Sequence, residues 1–320
     1  MADETAGDPM SALKWTRKST RKASRELKRQ KIPASPRTVA RLLKDMDFSL
    51  KANRKSVAGT QHPDRDQQFK YIAKMKKHFE ALGQPRISVD SKKKELIGNF
   101  YNPGRVWCRD APAVSDHDFR SAALGIANSY GIYDPCRNDG LVVIGISHDT
   151  PEFAVDSIVA WLTNTGLRRY PKIEELLILC DSGGSNGCRA RAWKHWLQQR
   201  LCNVFHIAVT VCHYPTGASK WNPIEHRMFS QVSLNWAGKP LRSFETMLKH
   251  IRCTTTDTGL KIQSRFNKKK YVKGIKIDET QISEINIKKH QCLPEWNYTI
   301  YPKGCVWSRK TKNPIRLKAT

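Results

Sequence analysis

Two acidic residues in this sequence stand where a β-sheet could hold them side by side. Asp90 follows the short β-prone run Arg86–Val89, and Asp181 follows the apolar run Leu176–Cys180. Ligand sites in open α/β sheets gather at strand ends, where the sheet directs a carboxylate rigidly. Carboxylate oxygens are the hard ligands that Mg²⁺ prefers. Two ions that such acids hold roughly 4 Å apart would support phosphoryl transfer.

A third acid, Glu225, has two interpretations. Asn222 can cap a helix whose first residue is Pro223, which places Glu225 at the third helical position. From there its carboxylate could be directed toward the acids at the strand ends. The same Asn-x-x-Glu spacing is also that of a capping box, in which the glutamate only satisfies a backbone amide. The local sequence leaves both interpretations open.

Other polar residues near these acids have plainer interpretations. Asp134 and Asp149 are interpreted as turn residues, with Asp149 the first substitute if Asp90 is not a ligand. His226 is interpreted as a structural histidine. The glycine-rich stretch at 181–187 lacks the Gly-Lys-Ser/Thr ending of a phosphate-binding P-loop, which argues against a nucleotide-binding α/β enzyme.

The elements that must position these acids alternate between strands and helices from residue 86 onward. Turn residues at 134–140 join two predicted strands, Ile126–Tyr133 and Leu141–Ile146. The pattern then predicts a helix, a strand, a helix, a strand and a helix, at Glu152–Thr163, Leu176–Cys180, Arg189–Leu201, Phe205–Cys212 and Pro223–Asn235. This order predicts an α/β domain with a mixed sheet flanked by helices. It would also return Glu225 to the edge of the sheet that carries Asp181.

The basic N-terminal part predicts a small helical region that precedes the sheet. Within residues 13–58, one helix is predicted near Ser19 to Gln30, and a second begins at the N-cap Ser35. This pair suggests a helix-turn-helix, with a plain helical hairpin as the alternative. In a helix-turn-helix the groove-facing surface would begin with Arg37, Thr38 and Arg41. Residues 1–12 are predicted to be a disordered tail, and residues 59–84 a connecting helix.

The composition favours a polyanionic partner. A net charge of +27 over 320 residues repels itself unless a polyanion such as nucleic acid neutralises it. No run of about eighteen or more apolar residues occurs, and no signal peptide opens the chain, which argues against a membrane protein. The nine cysteines include no Cys-x-x-Cys pair, so we expect a reducing compartment without disulfides or a zinc ribbon.

Basic residues also gather beside the first acid and at the C-terminus. Near the acids, phosphate binding is predicted for Lys92, Lys93, Lys94 and Lys220, with a solvated basic run as the alternative. Residues 259–320 are predicted to be a basic extension, because from Lys261 onward fifteen Lys or Arg face four Asp or Glu. Its interleaved aromatic residues could stack bases, or the segment could be a peripheral hairpin with a solvated basic face. They are Trp296, Tyr298, Tyr301 and Trp307.

The combination of segments resembles the ISAzo-thirteen-like family of DDE transposases from bacterial insertion sequences. The resemblance spans roughly residues 8–303. The segments that carry it are Ser35–Asn53, His62–Asp66, Ser88–Glu95, Tyr130–Asp134, Ser147–Thr150, Asp181–Gly187, Cys212–Pro215, Ser219–His226 and Glu295–Ile300.

The resemblance implies an RNase H-like catalytic domain at residues 85–258 that cleaves and joins DNA strands. It implies that Asp90, Asp181 and Glu225 bind Mg²⁺ or Mn²⁺, as two ions. It further implies transposon ends and target DNA as partners, a homo-oligomer on DNA, and a cytoplasmic, nucleoid-associated location in bacteria. The alternatives are a truncated or repurposed transposase that only binds DNA, and an RNase H-like nuclease without strand transfer. Family members usually carry a further N-terminal helix-turn-helix, so we expect a truncated or late-started sequence.

Overall fold

The computed structural model describes the backbone of residues 5–7, 14–16, 19–50, 62–307 and 314–316, and side chains within 19–50 and 62–304. The chain divides into two compact units, residues 1–58 and 59–320. Of the predicted tail at 1–12, the described part is β1 (Thr5–Gly7), which pairs antiparallel with β2 (Lys14–Thr16). The rest of that tail lies outside the described residues.

The first unit contains two helices that begin as the sequence predicts. Helices α1 (Thr20–Arg29) and α2 (Pro36–Asp45) each follow a serine whose hydroxyl accepts a hydrogen bond from the first turn. The two helices pack together and bury Ala23 and Val39. The other apolar side chains of this helix and its end are only partly covered within residues 19–50, because Leu42 and Met46 are exposed.

The second unit is built from strands and helices in the predicted alternation. Its strands are β3 (Arg86–Ile97), β4 (Gly125–Asp134), β5 (Asp139–Gly145), β6 (Glu175–Asp181), β7 (Ala208–Tyr214), β8 (Lys261–Asn267), β9 (Ile287–Lys289), β10 (Asn297–Ile300), β11 (Cys305–Trp307) and β12 (Pro314–Arg316). Its α-helices are α3 (Arg65–Ala81), α4 (Pro151–Trp161), α5 (Leu167–Arg169), α6 (Arg191–Trp196), α7 (Asn203–Phe205), α8 (Ser230–Asn235), α9 (Phe244–Arg252) and α10 (Glu279–Ser283). None of the helices that the structure describes is both long enough and apolar enough to cross a bilayer.

One mixed eight-stranded sheet organises this unit, in the order β8-β5-β4-β3-β6-β7-β10-β9. Strands β3, β4 and β5 form an antiparallel meander, and β6 and β7 then run parallel to β3. Helices cover both faces of the sheet. The predicted fold class, an RNase H-like mixed sheet flanked by helices, is thereby confirmed.

Apolar residues of alternate strand positions divide the core between the two faces. On one face, Phe153 and Trp161 of α4 pack with Trp193 of α6 against the sheet. On the other face, Met228 and Met247 belong to the layer formed by α8, α9 and the turn before α8. Because β6 and β7 are buried on both faces, they read as continuous apolar runs in the sequence.

Helix α3 packs on the sheet, and it therefore does more than the connecting helix predicted for residues 59–84. Ile72 and Phe79 are buried against Leu177, Leu179 and neighbouring residues of β7. These apolar residues are spaced at helical intervals among many lysines, so the stripe is narrow and easily overlooked. The helix therefore forms part of the second compact unit.

The sheet continues past residue 258, the predicted end of the catalytic domain. Strand β8 pairs in parallel with β5, and β10 pairs antiparallel with β7. Trp296 and Tyr298 are both buried, and Tyr298 belongs to the core, so Tyr298 is not available to stack bases. Trp307 lies outside the residues whose side chains are described. Residues 261–300 thus complete both edges of the sheet.

Candidate active site

Asp90 and Asp181 lie next to each other at one edge of the parallel strands. The parallel register of β3 and β6 ends with the pair Val89 and Cys180, so the next residue of each strand is one of the two acids. The prediction that the first strand stops before Asp90 is wrong, because β3 continues to Ile97 in antiparallel pairing with β4. The charged residues that follow Asp90 do not indicate a strand, because the pairing partner β4 is distant in the sequence.

Glu225 belongs to this site through its neighbour Asn222, which does not act as a helix cap. The buried Asn222 side chain donates to Asp181 Oδ1 over 3.1 Å and accepts a hydrogen bond from the Ser88 hydroxyl. Glu225 opens a π-helical turn, Glu225–Phe229, that lacks a side-chain cap. The capping-box interpretation is therefore wrong, and Asn222 instead connects the Glu225 turn to the strand that carries Asp181.

A glycine in the central antiparallel strand lets this turn approach the sheet closely. Gly131 pairs with Asp90 across β3 and β4. A Cβ atom at Gly131 would lie 2.6 Å from the ring of Phe229, the last residue of the Glu225 turn. Because such a contact is too short for any side chain, a larger residue here would push the turn away from Asp90.

The three carboxyl groups lie within electrostatic range of one another. Burial and the charges of Asp181 and Glu225 together raise the pKa of Asp90 from 3.8 to about 8, against the opposing hydrogen bond from the Ser91 amide. Burial and Glu225 also raise the pKa of Asp181, although the hydrogen bond from Asn222 lowers it. Such mutual repulsion is what a bound divalent cation would relieve.

Asp90 and Asp181 open into a cavity of about 1180 Å³, which Glu225 does not line. Asp90, Asp149 and Asp181 line it together with the glycine-rich loop after β6 and the exposed Arg189. One oxygen of Asp149, Oδ1, is buried without a hydrogen-bond partner among the described residues. Asp149 thus faces the same space, whereas Asp90 lies within electrostatic range of both Asp181 and Glu225, so Asp90 remains the predicted ligand and Asp149 its substitute.

The carboxylate oxygens of the three acids suit a hard divalent cation, although the side chains are not arranged as a complete metal site. Within residues 19–50 and 62–304, no three His, Cys, Asp or Glu side chains are close enough to hold a metal ion as they stand. Carboxylate oxygens in a partly dehydrated, mutually repelling cluster are nevertheless the ligands that Mg²⁺ prefers.

Two further polar residues singled out in the sequence, Asp134 and His226, make structural contacts. Asp134 is buried and accepts hydrogen bonds from the Cys136 amide and the Tyr170 hydroxyl, as expected for a turn residue. The ring of His226 contacts the backbone carbonyl of Lys220, in line with its structural interpretation. This contact joins the loop before Glu225 to the π-helical turn.

Of the lysines predicted to bind DNA near the acids, one is engaged by other side chains and three are exposed. Lys92 donates to Glu95 over 2.6 Å, its ammonium lies over the Trp236 ring, and its side chain is only 10% exposed. It is therefore not available to bind phosphate in this structure, and the prediction for Lys92 is not supported. Lys93, Lys94 and Lys220 are exposed.

In the first unit, α2 presents the three residues predicted to begin a groove-facing surface. Arg37 and Arg41 are exposed, and Thr38 is half-buried. The Thr38 hydroxyl and backbone amide both bond the hydroxyl of the cap Ser35, at 2.9 and 3.1 Å. The two arginines are thus free to reach a ligand, while Thr38 is partly engaged in the cap.

Sequence reasoning missed three buried polar residues that hold the acids in place: Ser88, Asn222 and His213. Each is fully buried, and each stands as a polar residue in or beside an apolar stretch, which is the signal that could have revealed them. Burial lowers the pKa of His213 to about 4, so its ring is neutral at ordinary pH.

Comparison with known proteins assigns the family. Residues 1–302 match the family model described as "Rhodopirellula transposase DDE domain". The chain belongs to this family of DDE transposases. Divalent metal use is characteristic of DDE transposases, in agreement with the acidic cluster. No curated protein matches this transposase sequence.

Solved structures of Mos1 transposase are similar to this DDE transposase chain. The Mos1 paired-end complex with left transposon end has 12% identity and a TM-score of 0.43, with 72% of this chain and 65% of that chain covered. The Mos1 strand transfer complex has 14% identity and a TM-score of 0.44, with 72% and 64% covered. The mariner Mos1 paired-end complex with Mg has 13% identity and a TM-score of 0.43, with 76% and 72% covered. The chain thus spans 65% of the length of the first of these Mos1 chains.

Proposed function

We propose that this chain cleaves DNA strands at the ends of an insertion sequence and joins the freed 3′ ends to target DNA. The proposed metal ligands and catalytic residues are Asp90, Asp181 and Glu225. The observation that supports this most is that the three carboxyl groups lie within electrostatic range of one another, with Asp90 and Asp181 lining a large cavity.

The protein contributes position and charge to this chemistry. When bound, two divalent cations, Mg²⁺ or Mn²⁺, would lower the pKa of a water molecule and neutralise charge on the phosphodiester. Strands β3 and β6 hold Asp90 and Asp181, and the π-helical turn holds Glu225. Asn222 donates to Asp181 Oδ1, which orients that carboxylate and lowers its pKa against the rise that burial causes. No covalent enzyme intermediate is required, because phosphoryl transfer depends mainly on positioning and electrostatic stabilisation.

Exposed basic residues would position the DNA through its phosphates without reading the sequence. We assign this role to Lys93, Lys94 and Lys220 near the acids, and to Arg37, Arg41 and Thr38 in the first unit. Structures of Mos1 contain transposon-end DNA, and the charge of +27 on this chain is consistent with a similar partner. We further expect a homo-oligomer on paired transposon ends and a cytoplasmic, nucleoid-associated location in bacteria.

A cleavage assay with Asp181→Asn tests the proposal. The substrate is a plasmid that carries the genomic flanks of the reading frame, with Mg²⁺ or Mn²⁺ added. We expect cleavage to fall by at least about a hundredfold while DNA binding is kept, because a missing ligand removes transition-state stabilisation. The exposed Asp257→Asn is the matched control and should cleave like the wild type.

The products of that assay distinguish the candidate activities. Joining of 3′ ends to a second DNA indicates a transposase, whereas nicks without joining indicate a nuclease. Undiminished cleavage by Asp181→Asn would remove this residue from the mechanism. If the wild-type chain binds DNA but does not cleave it, the chain acts only as a DNA-binding protein.

A further inference from the structure

A buried histidine contacts the main chain of Asp181. His213 belongs to β7 and pairs with Cys180 in the register of β6 and β7. Its side chain has no exposed surface, and it does not line the cavity that Asp90 and Asp181 open into. Any effect of His213 on a reaction in that cavity must therefore pass through another residue.

The ring of His213 holds the backbone of Asp181. Its Nδ1 atom lies 3.0 Å from the carbonyl oxygen of Asp181, and its Nε2 atom lies 3.2 Å from the hydroxyl of Tyr298. The carbonyl can only accept a hydrogen bond, so Nδ1 carries the proton and donates. Nε2 then accepts from the phenol, which fixes the tautomer and the orientation of the ring.

Further buried contacts keep the histidine itself in place. Its backbone amide donates to the carbonyl of Trp296 over 2.9 Å, and its carbonyl accepts from Gln68 Nε2 over 2.7 Å. Gln68 and Asn297, both fully buried, exchange two side-chain hydrogen bonds of 2.9 and 2.7 Å. The histidine is thus linked to α3 on one side and to β10 on the other.

We propose that His213 is a positioning residue that fixes the Asp181 main chain, and so the direction of its carboxylate, through the Nδ1 hydrogen bond. Asp181 is then held at two points, by His213 at its carbonyl and by Asn222 at its carboxylate. A ligand that two independent hydrogen bonds orient is ready for a metal ion before the ion arrives. This role rests on the proposed function, because it acts on a proposed metal ligand.

Two substitutions separate positioning from simple packing. The amide nitrogen of His213→Asn occupies the place of Nδ1, whereas that of His213→Gln reaches the place of Nε2. The asparagine variant keeps the donor to Asp181, and we expect kcat close to the wild type. The glutamine variant loses that donor, and we expect kcat to fall about tenfold to a hundredfold with KM for DNA unchanged, as for a small misplacement of a reacting group.

Binding of Mn²⁺ alone, followed by electron paramagnetic resonance of the free ion, provides a readout other than activity. We expect weaker Mn²⁺ binding for His213→Gln than for His213→Asn, at similar unfolding temperatures. Equal kcat and equal Mn²⁺ binding in the two variants, or losses that follow the unfolding temperature, would overturn the proposal. If no variant cleaves and the wild type does not either, the proposed function fails, but the order of Mn²⁺ affinities still tests His213.

If neither His213 variant folds, Tyr298→Phe takes their place. This change removes only the hydroxyl that orients the ring and keeps the buried aromatic group. We expect lower kcat and weaker Mn²⁺ binding with unchanged KM for DNA. Unchanged kcat and unchanged Mn²⁺ binding in a folded Tyr298→Phe protein would overturn the proposal.

Discussion

Asp90 has a strongly raised pKa, and the cause is local. Burial and two neighbouring carboxylates disfavour its ionised form, so its pKa rises from 3.8 to about 8. Binding of a divalent cation would reverse this preference, since the cation favours the ionised carboxylate. Near neutral pH, the metal-free protein should therefore hold a proton at this cluster that metal binding releases.

A stability measurement without metal tests this at the residue scale. Because the folded pKa of Asp90 lies above its ordinary value, this group favours folding below pH 4 and loses that contribution as the pH rises toward 8. Asp90→Asn cannot ionise and escapes the loss. We expect this variant to gain about 1–3 kcal/mol over the wild type at pH 8 and little at pH 5.

The measurement is thermal unfolding in the presence of a chelator at both pH values. For a domain of this size the expected gain corresponds to an unfolding temperature higher by roughly 2–10 °C at pH 8. The same difference between the two proteins at pH 5 and pH 8 would show that Asp90 does not titrate in this range.

The loop before Glu225 carries Lys220, one of the lysines near the acids to which we assign a phosphate contact. Trp221 is exposed, and a cation lies near its ring from each of two elements: Lys220 at 4.1 Å and Arg65 of α3 at 4.4 Å. Contacts of this kind restrain long side chains without neutralising them. Lys220, five residues before Glu225, and Arg65 of α3 therefore place two restrained positive charges at the Trp221 ring.

Salt dependence of DNA binding tests this loop at the scale of an element. If Lys220 contacts one phosphate, Lys220→Ala should make the slope of log K against log salt shallower by about 0.9 on duplex DNA. Lys261→Ala is the control, because Lys261 is exposed at the start of β8, at the end of the sheet opposite Asp181. A Lys220→Ala slope that equals the wild-type value, or an equal change in the control, would remove Lys220 from the DNA contacts.

At the scale of the whole molecule, segments distant in the sequence complete one sheet. Strand β8 adds to the side of β5, and strands β10 and β9 add to the side of β7. These strands carry buried Ile262, Tyr298 and Ile300, which fill cores on both faces. The basic C-terminal segment is therefore needed for folding, in addition to any contact with DNA.

A chain that ends at residue 258 tests this dependence. Loss of β8, β9 and β10 would expose apolar side chains and the unpaired edges of β5 and β7, so we expect an insoluble or protease-sensitive product. Limited proteolysis and circular dichroism, with the full chain as control, measure the outcome. A soluble truncated protein with cooperative unfolding would show that residues 86–258 form an independent domain.

The sequence alone determined the order of elements and the fold class, and it supplied the acids that we propose as metal ligands. Apolar runs, serine caps and turn residues are local signals, because each depends on neighbours within a few residues. They correctly predicted the two serine-capped helices and the alternation from β4 to α8. The candidate acids were recognised by type and spacing, and the resemblance to a family added Glu225 to the set.

Only the tertiary structure decided how these residues act together. The continuation of β3 past Asp90, the engagement of Lys92 by Glu95, and the roles of Asn222 and His213 all depend on side chains and strands brought together by folding. The physical reason is that hydrogen bonds, ion pairs and sheet edges are completed by partners far away in the sequence. A local pattern can indicate that a polar residue is buried, but it does not contain the group that satisfies it.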